Sequence, residues 1–127
     1  MIENATSRQI VDAAFRVHTG LGPGLLESVY ESALARELEK KGLSFVRQHS
    51  VPVIYDGVPI QAGFYADLIV NDEVIVEVKS VEAIAPVHKK QLLTYLRLAD
   101  KQIGLLMNFI VVLIKDGITR ILNGPQA

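Results

Sequence analysis

The chain has 127 residues, of which 50% are hydrophobic and 21% are charged, and its formal net charge is −1. This length and balance predict one globular domain over residues 1–127 with a real core, and they exclude a disordered chain. The charge weighs against non-specific wrapping of long duplex nucleic acid, which depends on many contacts of lysine and arginine with phosphate.

Hydropathy and cysteine content suggest where the chain works and in what state. Residues 1–7 show no basic region followed by an apolar run, and no stretch reaches about 18 apolar residues, so we expect neither a signal peptide nor a membrane span. The absence of cysteine fits a reducing cytoplasm. Mean hydropathy is +0.29, which predicts apolar surface covered by a second subunit and hence a homodimer or larger homo-oligomer.

Two helices are predicted in the first third of the chain. Thr6 or Ser7 can cap the first, over residues 8–18, and a segment rich in glycine and proline ends it. The second covers residues 25–41 and has Gly42 as its natural stop.

Glu27 is the unusual residue of the second helix. It lies in the first turn, where a carboxylate interacts favourably with the helix dipole, and this alone would explain it. It also borders the buried stripe that contains Tyr30, however, so that its side chain could point at the sheet.

The rest of the chain reads as strands with one more helix. The resulting order, α-α-β-β-β-α-β-β-β, predicts an α/β (α+β) fold with one mixed central sheet flanked by helices. The predicted elements are strands over 43–55 and 60–70 with a turn at Asp56-Gly57 between them, strands over 74–79 and 103–108, a helix over 87–99 opened by Pro86, and a final hairpin of 110–114 and 118–122 that turns at Asp116-Gly117.

Three charged residues interrupt the apolar hairpin of residues 67–79. Asp67, Glu77 and Lys79 are costly in a buried strand unless they are paired or hold a metal. Glu77 and Lys79 share one face of their strand, because side chains alternate along it.

The length of the turn decides whether Asp67 joins that face. A two-residue loop at residues 71–72 would pair Asp67 with Val76, whereas a three-residue loop at residues 71–73 pairs Asp67 with Glu77. Directly opposed carboxylates repel each other, which destabilises the fold but favours the binding of a divalent cation between them. We predict the three-residue loop.

Asp67 and Glu77 are hard oxygen ligands of the kind that Mg²⁺ prefers, together with water and substrate phosphate. A metal so held assists phosphodiester hydrolysis, and Lys79 can orient the attacking water or neutralise developing charge. The alternative interpretation is a plain acid–lysine pair at a strand end. The second acid at hairpin distance favours the metal site.

The helix after these strands adds polar residues near the same end of the sheet. Gln91 and Tyr95 lie four residues apart and therefore on one helical face, although a solvated amide and a core-edge tyrosine would look the same. His88, beside two lysines, could meet a phosphate. Its alternative is a solvated residue at the helix start.

These motifs together resemble the PD-(D/E)XK nuclease superfamily. Asp67, then Glu77-Val78-Lys79, then the Q-x-x-x-Y pattern of Gln91 and Tyr95 are most similar to its RecB-type and λ-exonuclease-type branch. The segment 24–30, G-L-L-E-S-V-Y, resembles the motif of the small bacterial GxxExxY proteins, and the likeness extends from about Ile10 to Leu122.

The resemblance implies a metal-dependent nuclease of restriction-endonuclease-like fold, acting on DNA by default. It implies Mg²⁺ as the cofactor, with Mn²⁺ as a substitute. The acids Asp67, Glu77 and Glu27 would lie at the metal, and Lys79 would be the catalytic lysine. The residues expected to support the site or touch the nucleic-acid backbone are Gln91, Tyr95, Tyr30 and His88.

Two other functions remain open at this point. The small charge and the apolar tail at residues 110–114 would suit a non-catalytic binding or assembly module that kept the nuclease fold. A chain without an excess of lysine and arginine would also suit a hydrolase of small nucleotides.

Overall fold

The fold is a mixed β-sheet with helices on both of its faces. The computed structural model describes residues 4–124, without the side chains of residues 61 and 62. Its helices and strands are α1 (Ala5–Leu21), α2 (Glu27–Lys40), β1 (Phe45–Tyr55), β2 (Val58–Val70), β3 (Val74–Lys79), α3 (Pro86–Ala99), β4 (Ile103–Asn108) and β5 (Ile118–Leu122), with a 3-10 helix at Ile114–Gly117.

The sheet follows the chain, in the order β1-β2-β3-β4-β5. Neighbouring strands are antiparallel except β3 and β4, which are parallel and are connected through α3. A parallel pair needs such a crossover connection, and a helix is its usual form. The predicted fold class, a mixed central sheet flanked by helices, is confirmed.

Side-chain alternation divides the core between the two faces. Along β3, Val74, Val76 and Val78 pack with α1 and α2, whereas Ile75 packs with Leu92 of α3. All four valine and isoleucine side chains are at most 1% exposed, so β3 is covered on both faces. The charged residues of β3, Glu77 and Lys79, therefore lie on a strand at the centre of the protein.

The helix ends are built by identifiable caps. Asn4, not the predicted Thr6 or Ser7, caps α1: its side chain accepts a hydrogen bond from the backbone N–H of Ser7, so the helix begins three residues earlier than expected. Gly42 is the predicted stop of α2. It has a φ of 74°, and its N–H donates to the Glu39 carbonyl while the next N–H donates to Leu38, which is a Schellman motif.

One predicted strand is absent, and this prediction was wrong. Residues 110–114 form turns that lead into the 3-10 helix, and Asp116-Gly117 lies in that helix and not in a hairpin turn. Strand β5 pairs with β4 instead, starting at Met107 and Ile118. Of the apolar residues in this segment, Val112 is 86% exposed, so the hydrophobic run that predicted a strand faces solvent in part.

The β1–β2 hairpin extends beyond the rest of the sheet. Strand β2 pairs with β1 as far as Val58, but its pairs with β3 begin only at Leu68. The predicted turn at Asp56-Gly57 is confirmed as a two-residue loop with both φ angles positive. At this hairpin tip (residues 53–60) four large apolar side chains are 48–71% exposed: Ile54, Tyr55, Val58 and Ile60.

None of the helices within residues 4–124 combines the length and the apolar character needed to cross a lipid bilayer.

Candidate metal and catalytic site

The turn between β2 and β3 sets the register of the two acidic strands. Asn71 and Asp72 have positive φ angles, and the N–H of Glu73 donates to the carbonyl of Val70 at 2.9 Å. Val70 consequently pairs with Val74, as a three-residue loop requires. The predicted register is confirmed, and it brings Asp67 opposite Glu77.

The regular pairing of β2 with β3 stops at Leu68 and Val76, and beyond this point carboxylates replace the backbone acceptors. The N–H of Asp67 donates to Oε2 of Glu77 at 2.9 Å, and the N–H of Val78 donates to Oδ2 of Asp67 at 2.8 Å. Each acid therefore supplies a hydrogen-bond acceptor to the backbone of the opposite strand. This reciprocal exchange holds the two carboxylates together where the strands separate.

Burial and mutual repulsion make this acid pair electrostatically costly. Glu77 is 7% exposed, and its burial followed by the charge of Asp67 raises its pKa to about 8. Burial also raises the pKa of Asp67, against the lowering effect of hydrogen bonds from Val78 and Gln48. Within residues 4–124 neither carboxylate lies in an ion pair with lysine or arginine. A bound cation would remove this repulsion.

Lys79 lies at the end of β3, two residues after Glu77, and is partly exposed. Its charge lowers the pKa of both Asp67 and Glu77, although by less than burial raises them. The lysine is thus close enough to act electrostatically on the acid pair, as predicted from its spacing.

A cavity of about 570 Å³ opens beside Asp67, against the start of α2. Glu27 lies on its wall, and its Oε2 accepts a hydrogen bond from the N–H of Ser80 at 3.1 Å. The structure therefore brings Glu27 to the same cavity as Asp67. The other lining residues are Leu25, Leu26, Ser28, Glu31, Gln48 and Ser80.

Glu31 is a site residue that the sequence analysis missed. It is 7% exposed, pairs with Arg47 at 3.0 Å, and accepts a hydrogen bond of 2.7 Å from Gln48. The same Gln48 nitrogen donates to Asp67 at 3.1 Å, so that one amide links the two acids. Glu31 follows Glu27 by four residues, and this helical spacing is the signal that could have indicated it.

Tyr95 is the residue of α3 that the structure brings to the acids. Its ring stacks on Phe64 with centroids 3.9 Å apart, and the charges of Glu77 and Asp67 add to burial in raising the pKa of its hydroxyl. Gln91 is exposed one turn earlier. His88 accepts a hydrogen bond from the N–H of Ala85 through Nδ1, which supports its alternative interpretation as a residue of the helix start.

Tyr30 lies inside the protein and does not reach the cavity. It is fully buried, its ring stacks on Phe109 at 4.6 Å, and its hydroxyl donates to the carbonyl of Gly22 and accepts from the N–H of Leu25. Tyr30 was expected either to support the site or to touch the nucleic-acid backbone. Its contacts agree with a supporting role, and its burial leaves no surface for nucleic acid.

The donor set fits a divalent cation that retains much of its water. Among the described residues no three Asp, Glu or His side chains form a ready-made metal cluster. Mg²⁺, however, is usually bound through one or two carboxylates plus substrate phosphate, and a carboxylate oxygen that accepts one hydrogen bond keeps a second lone pair. Asp67 and Glu77 meet this description.

The family comparison agrees with this geometry. The family model described as the PD-(D/E)XK nuclease superfamily matches residues 4–121, which is nearly the whole chain. A search of curated proteins and a search of solved structures each returned no match.

Proposed function

Because the chain belongs to the PD-(D/E)XK nuclease superfamily, we propose that it is a nuclease that hydrolyses DNA phosphodiester bonds with Mg²⁺, for which Mn²⁺ can substitute. The observation that carries this proposal is the reciprocal hydrogen bonding of Asp67 and Glu77 across β2 and β3, with Lys79 on the same strand. A purely structural site would have little reason to keep two repelling carboxylates at the centre of a sheet.

In this proposal Asp67 and Glu77 hold the metal, and Glu27 adds a third carboxylate from the cavity wall. When bound, the ion would supply Lewis acidity toward the phosphoryl group and would lower the pKa of water. Lys79 orients the attacking water and neutralises charge developing on the phosphate. Tyr95 and Gln91 support the site from α3, and His88 lies at the start of that helix for contact with the backbone of the nucleic acid.

We further propose that the chain is one of the GxxExxY proteins and is related to the RecB-type and λ-exonuclease-type branch. The segment 24–30 and the Gln91–Tyr95 spacing support this assignment. We also propose that it works in the cytoplasm, which suits a chain without cysteine, and as a homodimer or larger homo-oligomer.

Metal binding is tested by calorimetric titration of Mg²⁺ and Mn²⁺ into the wild type, Asp67→Asn and Glu77→Gln. These variants keep an oxygen that can accept the hydrogen bonds from the backbone but lose the charge, so we expect affinity to fall by roughly tenfold to a hundredfold or more. The exposed carboxylate of Glu39 offers the control Glu39→Gln. Equal binding by wild type and both site variants would contradict the metal site.

Catalysis is tested with single-stranded, duplex and nicked substrates in the presence of Mg²⁺. We expect Lys79→Ala to lower kcat by roughly 10²–10³, in the range found when one transition-state donor is removed. Lys115→Ala changes an exposed lysine on the 3-10 helix and is the matched control. Cleavage that survives unchanged in Lys79→Ala would remove the lysine from the mechanism.

One observation favours the non-catalytic module as a second candidate. The eight residues that line the cavity include three acids and no lysine or arginine, so the cavity wall offers no cation for phosphate. Metal binding that depends on Asp67 and Glu77, without cleavage of any DNA, RNA or cyclic dinucleotide, would support this candidate over the nuclease.

A further inference from the structure

The backbone that leaves β3 directly after Lys79 is held first from β4. The N–H of Phe109 donates to the carbonyl of Lys79 at 2.9 Å. The amide of Asn108 then bonds both backbone groups of Val81: Oδ1 accepts from its N–H at 3.1 Å, and Nδ2 donates to its carbonyl at 2.9 Å. Asn108 is 2% exposed, so these bonds lie inside the protein.

The same backbone is held from the other side by the start of α2. The hydroxyl of Ser80 donates to the carbonyl of Leu25 at 2.8 Å, and the N–H of Ser80 donates to Glu27 at 3.1 Å. One residue of the loop thus contacts both the segment before α2 and the acid in its first turn.

Tyr30 joins these two sets of contacts. Its ring lies on Phe109, nearly parallel at 8°, and its hydroxyl bonds Gly22 at 2.6 Å and Leu25 at 3.0 Å. The contacts therefore form a closed circuit, which passes from Tyr30 through Phe109 and Lys79 to Ser80 and returns through Leu25. The described contacts include none between Tyr30 and the side chain of Lys79 or of either paired acid.

We propose that Tyr30, Ser80 and Asn108, here called the β3 latch, are positioning residues that fix the backbone beyond Lys79. The latch keeps Lys79 and Glu27 in place beside the Asp67–Glu77 pair. This inference rests on the proposed function, because it assigns the latch a part in the same reaction. A misplacement of about 1 Å at a reacting group is enough to cost roughly 10²-fold in rate.

The latch gives a physical reason for the spacing of the G-x-x-E-x-x-Y segment. Gly24 has a φ of 100°, which lets the chain turn so that Gly22 and Leu25 both reach the hydroxyl of Tyr30. Glu27 and Tyr30 are three residues apart and lie on neighbouring turns of α2. The glycine, the acid and the tyrosine therefore all act on the loop that follows Lys79.

The kinetic test uses variants that remove one hydroxyl each. Tyr30→Phe loses the bonds to the glycine-rich loop but keeps the stacking, and Ser80→Ala loses the bond to Leu25 but keeps the backbone bond to Glu27. We expect kcat of the folded enzyme to fall roughly tenfold to a hundredfold. Mn²⁺ affinity should fall by less than kcat, because Asp67 and Glu77 are held by their own bonds across β2 and β3 and only Glu27 depends on the latch.

Two further variants separate positioning from general destabilisation. Ser80→Thr keeps a hydroxyl and should recover most of kcat. Tyr55→Phe removes the hydroxyl of a 71% exposed tyrosine at the hairpin tip and should leave kcat unchanged. A loss of kcat that merely follows the loss of folded protein, or that Ser80→Thr does not reverse, would overturn the proposal.

Amide hydrogen exchange in the metal-free protein tests the latch without any activity. In Tyr30→Phe and Ser80→Ala we expect exchange at Ser80 and Val81 to rise at least about tenfold while Asp67 and Val78 stay protected. Unchanged exchange at Ser80 and Val81 would overturn the latch. If the wild type cleaves nothing, the proposed nuclease fails, and exchange alone then decides whether the latch fixes this backbone.

Discussion

Burial and the charge of Asp67 raise the pKa of Glu77 to about 8, whereas a glutamate ordinarily titrates near 4.5. Without metal, the folded protein therefore binds a proton that the unfolded chain releases in the window from about pH 4.5 to 8. Stability from this proton is fully present below that window and is lost as pH rises through it. The metal-free protein should thus weaken toward alkaline pH.

The variant Glu77→Gln tests this pH dependence because it removes the titration and keeps an acceptor for the N–H of Asp67. In urea unfolding with chelator present, we expect it to exceed the wild type in stability at pH 9 by on the order of 1–3 kcal/mol. The advantage should shrink at pH 7 and vanish near pH 5. A constant difference at all three pH values would place its cause outside the ionisation of Glu77.

Single residues also show where sequence reasoning succeeds. Asp67 opposite Glu77 was predictable, because the count of residues in the turn decides the faces of both strands. Gln48 was not, since its hydrogen bond to Asp67 depends on the backbone at Gln48, whose φ of 47° is unusual for a non-glycine residue. No local sequence pattern predicts a positive φ at such a position inside a strand.

At the scale of elements, the segment after β4 shows that a strong local sequence signal can still lead to a wrong secondary-structure prediction. An Asp-Gly pair between apolar runs is a strong hairpin signal, and it correctly predicted the turn at residues 56–57. The same signal failed at residues 116–117. There the glycine is needed for close packing, because a Cβ on Gly117 would lie 2.2 Å from the carbonyl oxygen of Asn108.

Two alanine substitutions test that explanation. Gly117→Ala should destabilise the protein by roughly 2–4 kcal/mol, since a backbone oxygen cannot move aside as a side chain can. Gly20→Ala is the matched control: it lies in α1, where the added carbon meets no atom within 4 Å apart from its chain neighbours and the backbone of its own helix, and it should stabilise by about 0.5–1 kcal/mol. Thermal unfolding of both variants measures these changes in stability, and equal shifts in Tm would refute the packing argument.

At the scale of the whole molecule, a ribbon of two strands carries a cluster of exposed apolar side chains. The hairpin tip exposes Ile54, Tyr55, Val58 and Ile60, and its only charged residue is Asp56. An acidic, apolar ribbon is unsuited to phosphate contacts. Its position beyond the sheet, and the excess hydropathy of the chain, agree with the proposal of a homo-oligomer.

Sedimentation equilibrium tests the oligomer directly. We expect the wild type at twice the chain mass of 14.0 kDa or more, and the double variant Ile54→Ser/Val58→Ser shifted toward the single chain. Both residues are more than half exposed, so the serines should change stability little. A wild type that sediments at 14.0 kDa would end this proposal.

The bonds from Asp67 to Val78 and from Glu77 to Asp67 have a consequence for how this lineage can diverge. The two acids are also structural acceptors, so replacing either with a small apolar residue would leave a buried N–H unbonded, at about 1–3 kcal/mol. Descendants that abandon catalysis should therefore carry amides at positions 67 and 77. Inactive members would then resemble the enzyme closely in shape and differ from it mainly in charge.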